Sequence, residues 1–200
     1  MAQSDVLVSG AFIYIAPEDT NPPDETTVSA GEDWAGAWDY MGLTLAPLTL
    51  NVNTTEFNVD VQQLSTPILS AITAEELTLQ TTLAELTAEN LQLVFGGNIT
   101  TTPAGAAQAG YKELKAGGRT QRTVYTLGFE GKTPLASGTL VPVRFFFHRV
   151  QISLGGNMNF DKGAATGVPI SAKVLSDDAQ ADDEKLFIFQ RITAVQTTSS

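Results

Sequence analysis

Few side chains in this sequence could carry out nucleophilic, acid–base or metal chemistry. His148 is the only histidine and cysteine is absent, which excludes thiolate metal sites, disulfides and sites that need several histidines. His148 follows three phenylalanines in a pattern typical of a strand, so we expect a satisfied structural histidine. The sequence contains no nucleophile elbow, P-loop or dinucleotide fingerprint. We therefore expect a protein that is not an enzyme, with no catalytic residue, no metal ion and no cofactor.

Carboxylates are the remaining candidates for chemistry. The acidic residues between 177 and 184 lack the spacing and the central glycine of a calcium-binding loop, which favours a solvated loop. Glu75 and Glu76 are neighbours on a predicted strand and so face opposite ways. A glycan hydrolase on a β scaffold would need a carboxylate pair such as Glu130 and Asp161. Nothing in the sequence places these two acids together.

The charge balance argues against tight binding of phosphate groups. The formal net charge is −11, and residues 1–111 contain 14 acidic and no basic side chains. This asymmetry predicts either subunits that pack unlike surfaces together or two halves that interleave in one fold. Arg144 and Arg149 flank the aromatic residues 145–147. We interpret this segment as core packing with paired surface cations and not as a stack for nucleic-acid bases.

Period-two alternation of apolar and polar residues predicts a mainly β chain. One segment, residues 74–83, places its leucines on one side of a strand, and four polar residues on the other: Glu76, Thr78, Gln80 and Thr82. A short helix follows, with Thr87 as N-cap, Glu89 in the first turn and Gly96 just past the end. Further strands are predicted at 6–16, 43–61, 123–131, 141–154, 168–177 and 185–192. Many strands with one short helix are typical of a β-sandwich or barrel.

The segments between these elements indicate long loops and arms. Residues 17–33 are rich in proline, acids and small residues, which predicts an exposed excursion. Trp34 and Trp38 follow it, and they could pack in the core or dock on a neighbouring subunit; we favour docking. Residues 96–121 indicate a long loop that could contain one short strand, and Gly155, Gly156 and Asn157 indicate a hairpin turn. We expect a single domain over residues 1–200, with the N-terminal arm at about 17–40, a C-terminal tail at about 193–200 and no membrane-spanning segment.

Four segments together resemble the major tail tube proteins of long-tailed, non-contractile bacteriophages. They are VSGAFIYIAPEDT, WDYMGLT, EELTLQTTLAELTAENLQLVFGG and FFFHRVQISLGGNMNFDKGAATGVPISAKVLSD, and they span nearly the whole chain. The third segment carries most weight, because the family places a tube-forming strand directly before its single helix. The resemblance implies a tail-tube-type sandwich or barrel of two packed sheets with a short helix. We expect no counterpart of the immunoglobulin-like domain that some members carry at the C-terminus.

The resemblance implies a structural virion protein that is assembled in the host cytoplasm. Six copies would close into a ring, and rings would stack into a hollow tube through which double-stranded DNA passes without specific binding. The polar residues Glu76, Thr78, Gln80 and Thr82 would face the lumen, and Lys173 would pair with an acid or lie outside the lumen. Other partners implied are a tape measure protein, a tail tip and a tail terminator. Contacts between subunits or rings are expected at Trp34, Trp38, Asp24, Glu25, Gln63, Ser65 and Pro67.

Two other interpretations stay open from the sequence alone. A capsid-decoration or adhesin-like β-domain would share the strand pattern and the scarcity of chemistry but would form no tube. A glycan hydrolase would require Glu130 and Asp161 to lie close together around a substrate.

Overall fold

Ten strands and one helix follow one another in the computed structural model, which describes residues 10–23, 32–63, 65–135 and 138–193. In chain order they are β1 (Phe12–Pro17), β2 (Asp39–Tyr40), β3 (Thr49–Val59), β4 (Leu69–Leu83), α1 (Ala88–Phe95), β5 (Asn98–Thr102), β6 (Tyr111–Lys115), β7 (Val124–Pro134), β8 (Leu140–Leu154), β9 (Val168–Leu175) and β10 (Ile188–Arg191). The predicted mainly β fold class is confirmed. None of the described helices is long and apolar enough to span a membrane.

The strands form a large antiparallel sheet and a small one. The large sheet has the order β2-β1-β7-β8-β9-β4-β3, and β5 pairs with β6 in the separate two-stranded sheet. Strand β8 is long enough to pair with β10 along its first half and with β9 along its second half. Strands β3 and β2 therefore lie at the two edges of the large sheet.

Local sequence signals set the bounds of α1. The hydroxyl of Thr87 accepts a hydrogen bond from the backbone N–H of Asn90, which caps the N-terminus. Gly96 has a φ of 70° and donates its N–H to the carbonyl oxygen of Gln92, which ends the helix. Val94 of this helix is buried in the core. The predicted capping residues and the predicted helix are confirmed.

The main core lies between the large sheet and α1. It contains the apolar face of β4, because Leu77, Leu79 and Leu83 are each at most 2% exposed. These leucines pack with apolar residues of β1, β7, β8, β9 and α1 in one cluster. Burial of the predicted apolar face of β4 is confirmed, and the free energy of this burial fixes which face of the strand points outward.

A second, smaller core lies on the opposite side of the same sheet, over β1, β7 and β8. It contains Tyr14, Trp34, Trp38 and Phe146. The ring of Trp34 stacks on Tyr14 at 4.2 Å and meets Trp38 edge-on at 4.9 Å. This side of the sheet is thus covered by the segment that contains both tryptophans, whereas its β9, β4 and β3 part is not.

One connection differs from the sequence prediction. Residues 96–121, which we expected to be mostly loop, contain the β5–β6 hairpin; its threonines and lysines alternate without a buried face. The connection from β8 to β9 spans residues 155–167, between the two predicted strands. Polar hairpins without a core face have no hydrophobic pattern by which they could be recognised.

Candidate functional surface

Polar side chains of β4 alternate with its buried leucines. Glu76 and Gln80 are exposed, and Thr78 and Thr82 are half-buried. Because successive residues of a strand point to opposite faces, all four lie on the side of the sheet that faces away from the main core. The sequence predicted this side chain arrangement. That these residues line a lumen stays a prediction.

The register of the neighbouring strands extends this surface. Strand β3 places Asn51 opposite Thr78, and β9 places Ser171 opposite Gln80. Strand β8 in turn places Ser153 opposite Ser171. We call the resulting surface the polar face; its residues are Thr49, Asn51, Asn53, Glu76, Thr78, Gln80, Thr82, Ser171, Lys173, Arg149, Gln151 and Ser153. Hydroxyl and amide groups predominate on it.

An ion pair crosses the polar face between β4 and β9. The Nζ atom of Lys173 lies 2.6 Å from Oε1 of Glu76, and both side chains are about half exposed. Lys173 is registered directly opposite Thr78, so Glu76 is its diagonal neighbour on β4. The expectation that Lys173 pairs with an acid is confirmed.

The far ends of β3 and β4 project from the sheet as a two-stranded ribbon. This ribbon comprises residues 54–63 and 65–75, and β9 pairs with β4 only from Thr78 onward. Its large apolar side chains are exposed: Phe57 by 59%, Leu69 by 58% and Ile72 by 65%. An isolated two-stranded hairpin is marginally stable in water. Exposed apolar groups on such an element indicate a surface that binds another molecule.

The tip of the ribbon contains three of the residues expected at inter-ring contacts. Gln63, Ser65 and Pro67 are all exposed there, next to a turn that the Ile68 N–H closes on the carbonyl oxygen of Val59. Their contact with another ring stays a prediction. Asp24 and Glu25, which were expected to have the same role, lie outside the described residues.

Both tryptophans lie in the core of their own chain. Trp34 is 3% exposed and Trp38 is 7% exposed. The indole N–H of Trp34 donates to the carboxylate of Glu130 at 3.2 Å, and that of Trp38 donates to the carbonyl oxygen of Asn21. The burial supports core packing, the alternative that we had not favoured. A docking role for these rings on a neighbouring subunit is left without support.

The carboxylate pair of the glycan-hydrolase hypothesis does not form an accessible site. Glu130 is fully buried, where Nε of Arg144 contacts its Oε2 at 3.2 Å. Asp161 lies in the exposed β8–β9 connection and accepts the N–H of Gly163. A carboxylate that is sealed in the core cannot reach a glycan. Arg144 also corrects the expectation of two surface cations, because only Arg149 is paired at the surface, with Glu18 at 2.8 Å.

His148 lies in β8, as predicted, but it is not satisfied as expected. Its Nε2 is buried without a hydrogen-bond partner among the described residues. The backbone carbonyl of His148 accepts a hydrogen bond from the hydroxyl of Thr126, at an irregular point of the β7–β8 ladder.

Two titratable side chains that line the cavity beside the helix have pKa values shifted away from neutrality. A cavity of about 450 Å³ lies between β1, β2 and α1 and is lined by Tyr40 and Glu89, among others. Burial raises the pKa of Tyr40, and the hydrogen bond from Lys112 lowers the pKa of Glu89. Both shifts move these groups away from the neutral range in which a general acid or base works. Metal-ligand side chains form no group of three or more in the described parts of the chain.

The acidic loop of residues 177–184 is held by its own contacts. Asp177 is buried and accepts the N–H of Ala179, and Asp182 pairs with Lys185 at 2.8 Å. The hydrogen bond from Lys185 lowers the pKa of Asp182. These contacts agree with a loop whose charges are partly paired.

Sequence reasoning missed the ribbon and the buried Glu130–Arg144 pair. The alternation in 43–61 showed a strand but not that its partner would leave the sheet. The pair links neighbouring strands beneath a tryptophan 96 residues away in sequence, and no local pattern contains such a contact. The only available signal was the occurrence of Glu130 and Arg144 at apolar strand positions.

Comparison with known proteins finds a match to one protein family. The family model described as Phage tail tube protein matches residues 1–193 of the chain. A search among curated proteins found no match.

Proposed function

The chain belongs to the phage tail tube protein family and is a structural component of a phage tail; from this premise we propose that six copies close into a ring and that the rings stack into a tube. Double-stranded DNA passes through the channel without specific binding. Assembly takes place in the host cytoplasm, and the finished tube is part of the virion. The family also leads us to propose a tape measure protein within the tube, and tail tip and terminator proteins at its ends.

The observation that carries this proposal is the polar face. Four adjacent strands expose hydroxyl and amide groups on one side, whereas the apolar residues on the other side of β4, β8 and β9 are buried in the main core. A sheet with one polar, solvent-exposed face and one buried apolar face is suited to line a water-filled channel. The helix and the β5–β6 hairpin then lie on the outside of the wall.

The dimensions of this surface agree with six copies. Neighbouring strands are about 4.8 Å apart, so four strands contribute roughly 19 Å of wall, and six copies a circumference of about 115 Å. The backbone-to-backbone diameter is then at least about 37 Å, because the tilt of strands in a closed barrel widens it further. Side chains on both walls together occupy roughly 10 Å of this width. The remaining channel is wide enough for a double helix.

The free edge of β3 provides a reason for assembly. Beside β3 no further strand of the described chain is paired in the large sheet. Unpaired backbone N–H and C=O groups of an exposed edge are a liability that ring closure removes. In this proposal β3 of one subunit lies against the sheet of the next subunit, which continues the wall.

The ribbon is suited to join consecutive rings. It projects from the sheet along the strand direction and exposes Phe57, Leu69 and Ile72. Packing of these side chains on the adjacent ring would bury apolar surface and stabilise the ribbon, which its own subunit does not cover. The exposed tip residues Gln63, Ser65 and Pro67 would extend this contact.

Negative-stain electron microscopy of the purified protein over a concentration series tests the proposal. We expect hollow tubes or rings with six-fold symmetry, whose mass light scattering can follow. A parallel sample that contains tail tip material provides an initiator, because nucleation can limit assembly.

Stable monomers, dimers or trimers without rings, even with the initiator present, would contradict the tube. A capsid-decoration or adhesin-like role would then be the better proposal. Loss of a glycan-hydrolase activity on mutation of Asp161 in a monomer would instead revive the enzymatic hypothesis.

A further inference from the structure

Two cations lie on the polar face among the described residues, and each contacts a carboxylate. Lys173 is 2.6 Å from Glu76, and Nε of Arg149 is 2.8 Å from Oε1 of Glu18. The acid of the face, Glu76, is therefore occupied by Lys173. The two cations of the polar face are thus paired with two carboxylates, Glu76 on the face and Glu18 beside it.

Folding does not account for the Glu76–Lys173 pair. The side chains are 46% and 54% exposed, and ion pairs with this exposure contribute little to the free energy of unfolding. Polar residues without charge occupy the surrounding positions of β3, β4 and β9, so the pair is a local exception on the surface. The ion pair is therefore more relevant to the DNA that would pass along this surface than to the stability of the fold.

An unpaired lysine at this position would bind phosphate groups. Each phosphate that a lysine or arginine neutralises releases a counterion, which strengthens binding and makes it dependent on salt. In a channel the same lysine would recur once per subunit along the whole wall. A polyanion in transit would meet many such contacts in succession.

We propose that Glu76 is the built-in counter-ion of Lys173, which keeps the channel wall electrically neutral toward DNA. This inference rests on the proposed function, in which the polar face lines the channel. DNA can then pass without binding even if the wall does not repel it. Lys173 is engaged by Glu76 across the strands, and hydroxyl and amide groups provide weak, exchangeable contacts.

The test compares DNA retained inside tubes of the wild-type chain and of Glu76→Gln. Tubes are incubated with a short DNA duplex at 20 to 200 mM NaCl, treated with DNase and sedimented, and the protected DNA is measured. Electron microscopy first establishes that each variant forms tubes. Because the pair is exposed, Glu76→Gln is expected to fold and assemble normally.

Two further variants control for charge. Glu113→Gln removes an acid from another exposed pair, with Lys115 at 3.2 Å, but on the β5–β6 hairpin away from the polar face. It makes the same change in net charge as Glu76→Gln. The double variant Glu76→Gln, Lys173→Gln removes both charges of the pair.

We expect Glu76→Gln tubes to protect at least about fivefold more DNA at low salt, with a salt slope steeper by about 0.9 for each phosphate bound. Glu113→Gln and the double variant should match the wild type. Equal protection in Glu76→Gln and wild-type tubes would overturn the inference and leave the tube proposal intact. If the wild-type chain forms no tube at all, the proposed function fails and the inference fails with it.

Discussion

The close contact between Trp34 and Gly128 organises the second core. A Cβ atom built on Gly128 would clash with Cζ3 of Trp34, so only glycine leaves room for the indole beside β7. From this position Trp34 donates to Glu130, and its ring lies 5.8 Å from the guanidinium of Arg144. Burial raises the pKa of Tyr14, which stacks on the same ring. One missing methyl group thus permits the packing of several aromatic and charged side chains.

Gly128→Ala should destabilise the fold by about 1–3 kcal/mol, because the added methyl group overpacks the contact with Trp34. Urea unfolding followed by tryptophan fluorescence measures this change. Gly163→Ala is the matched control, since a Cβ there meets nothing within 4 Å. Equal stability of the two variants would show that Trp34 can move away without cost.

Among the helices and strands, those with a buried face or a local capping signal were the ones that the sequence predicted well. The bounds of α1 were predicted closely because Thr87 and Gly96 act through local hydrogen bonds. The leucine face of β4 was predicted because a strand with one buried side alternates apolar and polar residues. The ribbon and the β5–β6 hairpin have no buried face, so no alternation of apolar and polar residues reveals them. The polar face therefore could be predicted in β4 but not across β3, β8 and β9.

The ribbon should be dispensable for folding and required for stacking. Thr54 and Glu75 are register partners, so a two-residue Asn-Gly turn can join them and replace residues 55–74. We expect the shortened chain to keep its circular dichroism spectrum and to unfold cooperatively. Electron microscopy should show single rings and no long tubes.

Shortening the other exposed hairpin provides the control. Thr102 and Tyr111 are register partners in β5 and β6, and an Asn-Gly turn can replace residues 103–110. This variant should still form long tubes, because the hairpin lies on the helix side of the wall. Long tubes from the chain without its ribbon would contradict the role of the ribbon between rings.

For the molecule as a whole, the charge asymmetry of the sequence disappears in three dimensions. Three ion pairs join an acid of residues 1–111 to a base of residues 112–200; they are Glu18–Arg149, Glu76–Lys173 and Glu89–Lys112. Strand pairing likewise joins β1 to β7 and β4 to β9. Of the two interpretations of the asymmetry, the structure supports interleaved halves. Composition could not decide this, because charge along a chain does not report which segments pair.

Assembly should become easier as salt is added. Each subunit keeps a net charge of −11, so like-charged copies repel one another at low ionic strength. The Debye length falls from about 30 Å at 0.01 M to about 8 Å at 0.15 M salt. We expect the critical concentration for assembly, measured by light scattering, to fall by about threefold or more over this range. A critical concentration that rises with salt would instead indicate that attraction between unlike patches dominates.

The contact of Trp34 with Gly128 also limits how such a chain can change over generations. A larger residue at position 128 clashes with the indole at position 34. A smaller side chain at position 34 removes the indole N–H from Glu130 and the stacking partner from Tyr14. Either substitution alone therefore gives a less stable chain, whichever of the two comes first. Positions 34 and 128 are expected to be inherited together.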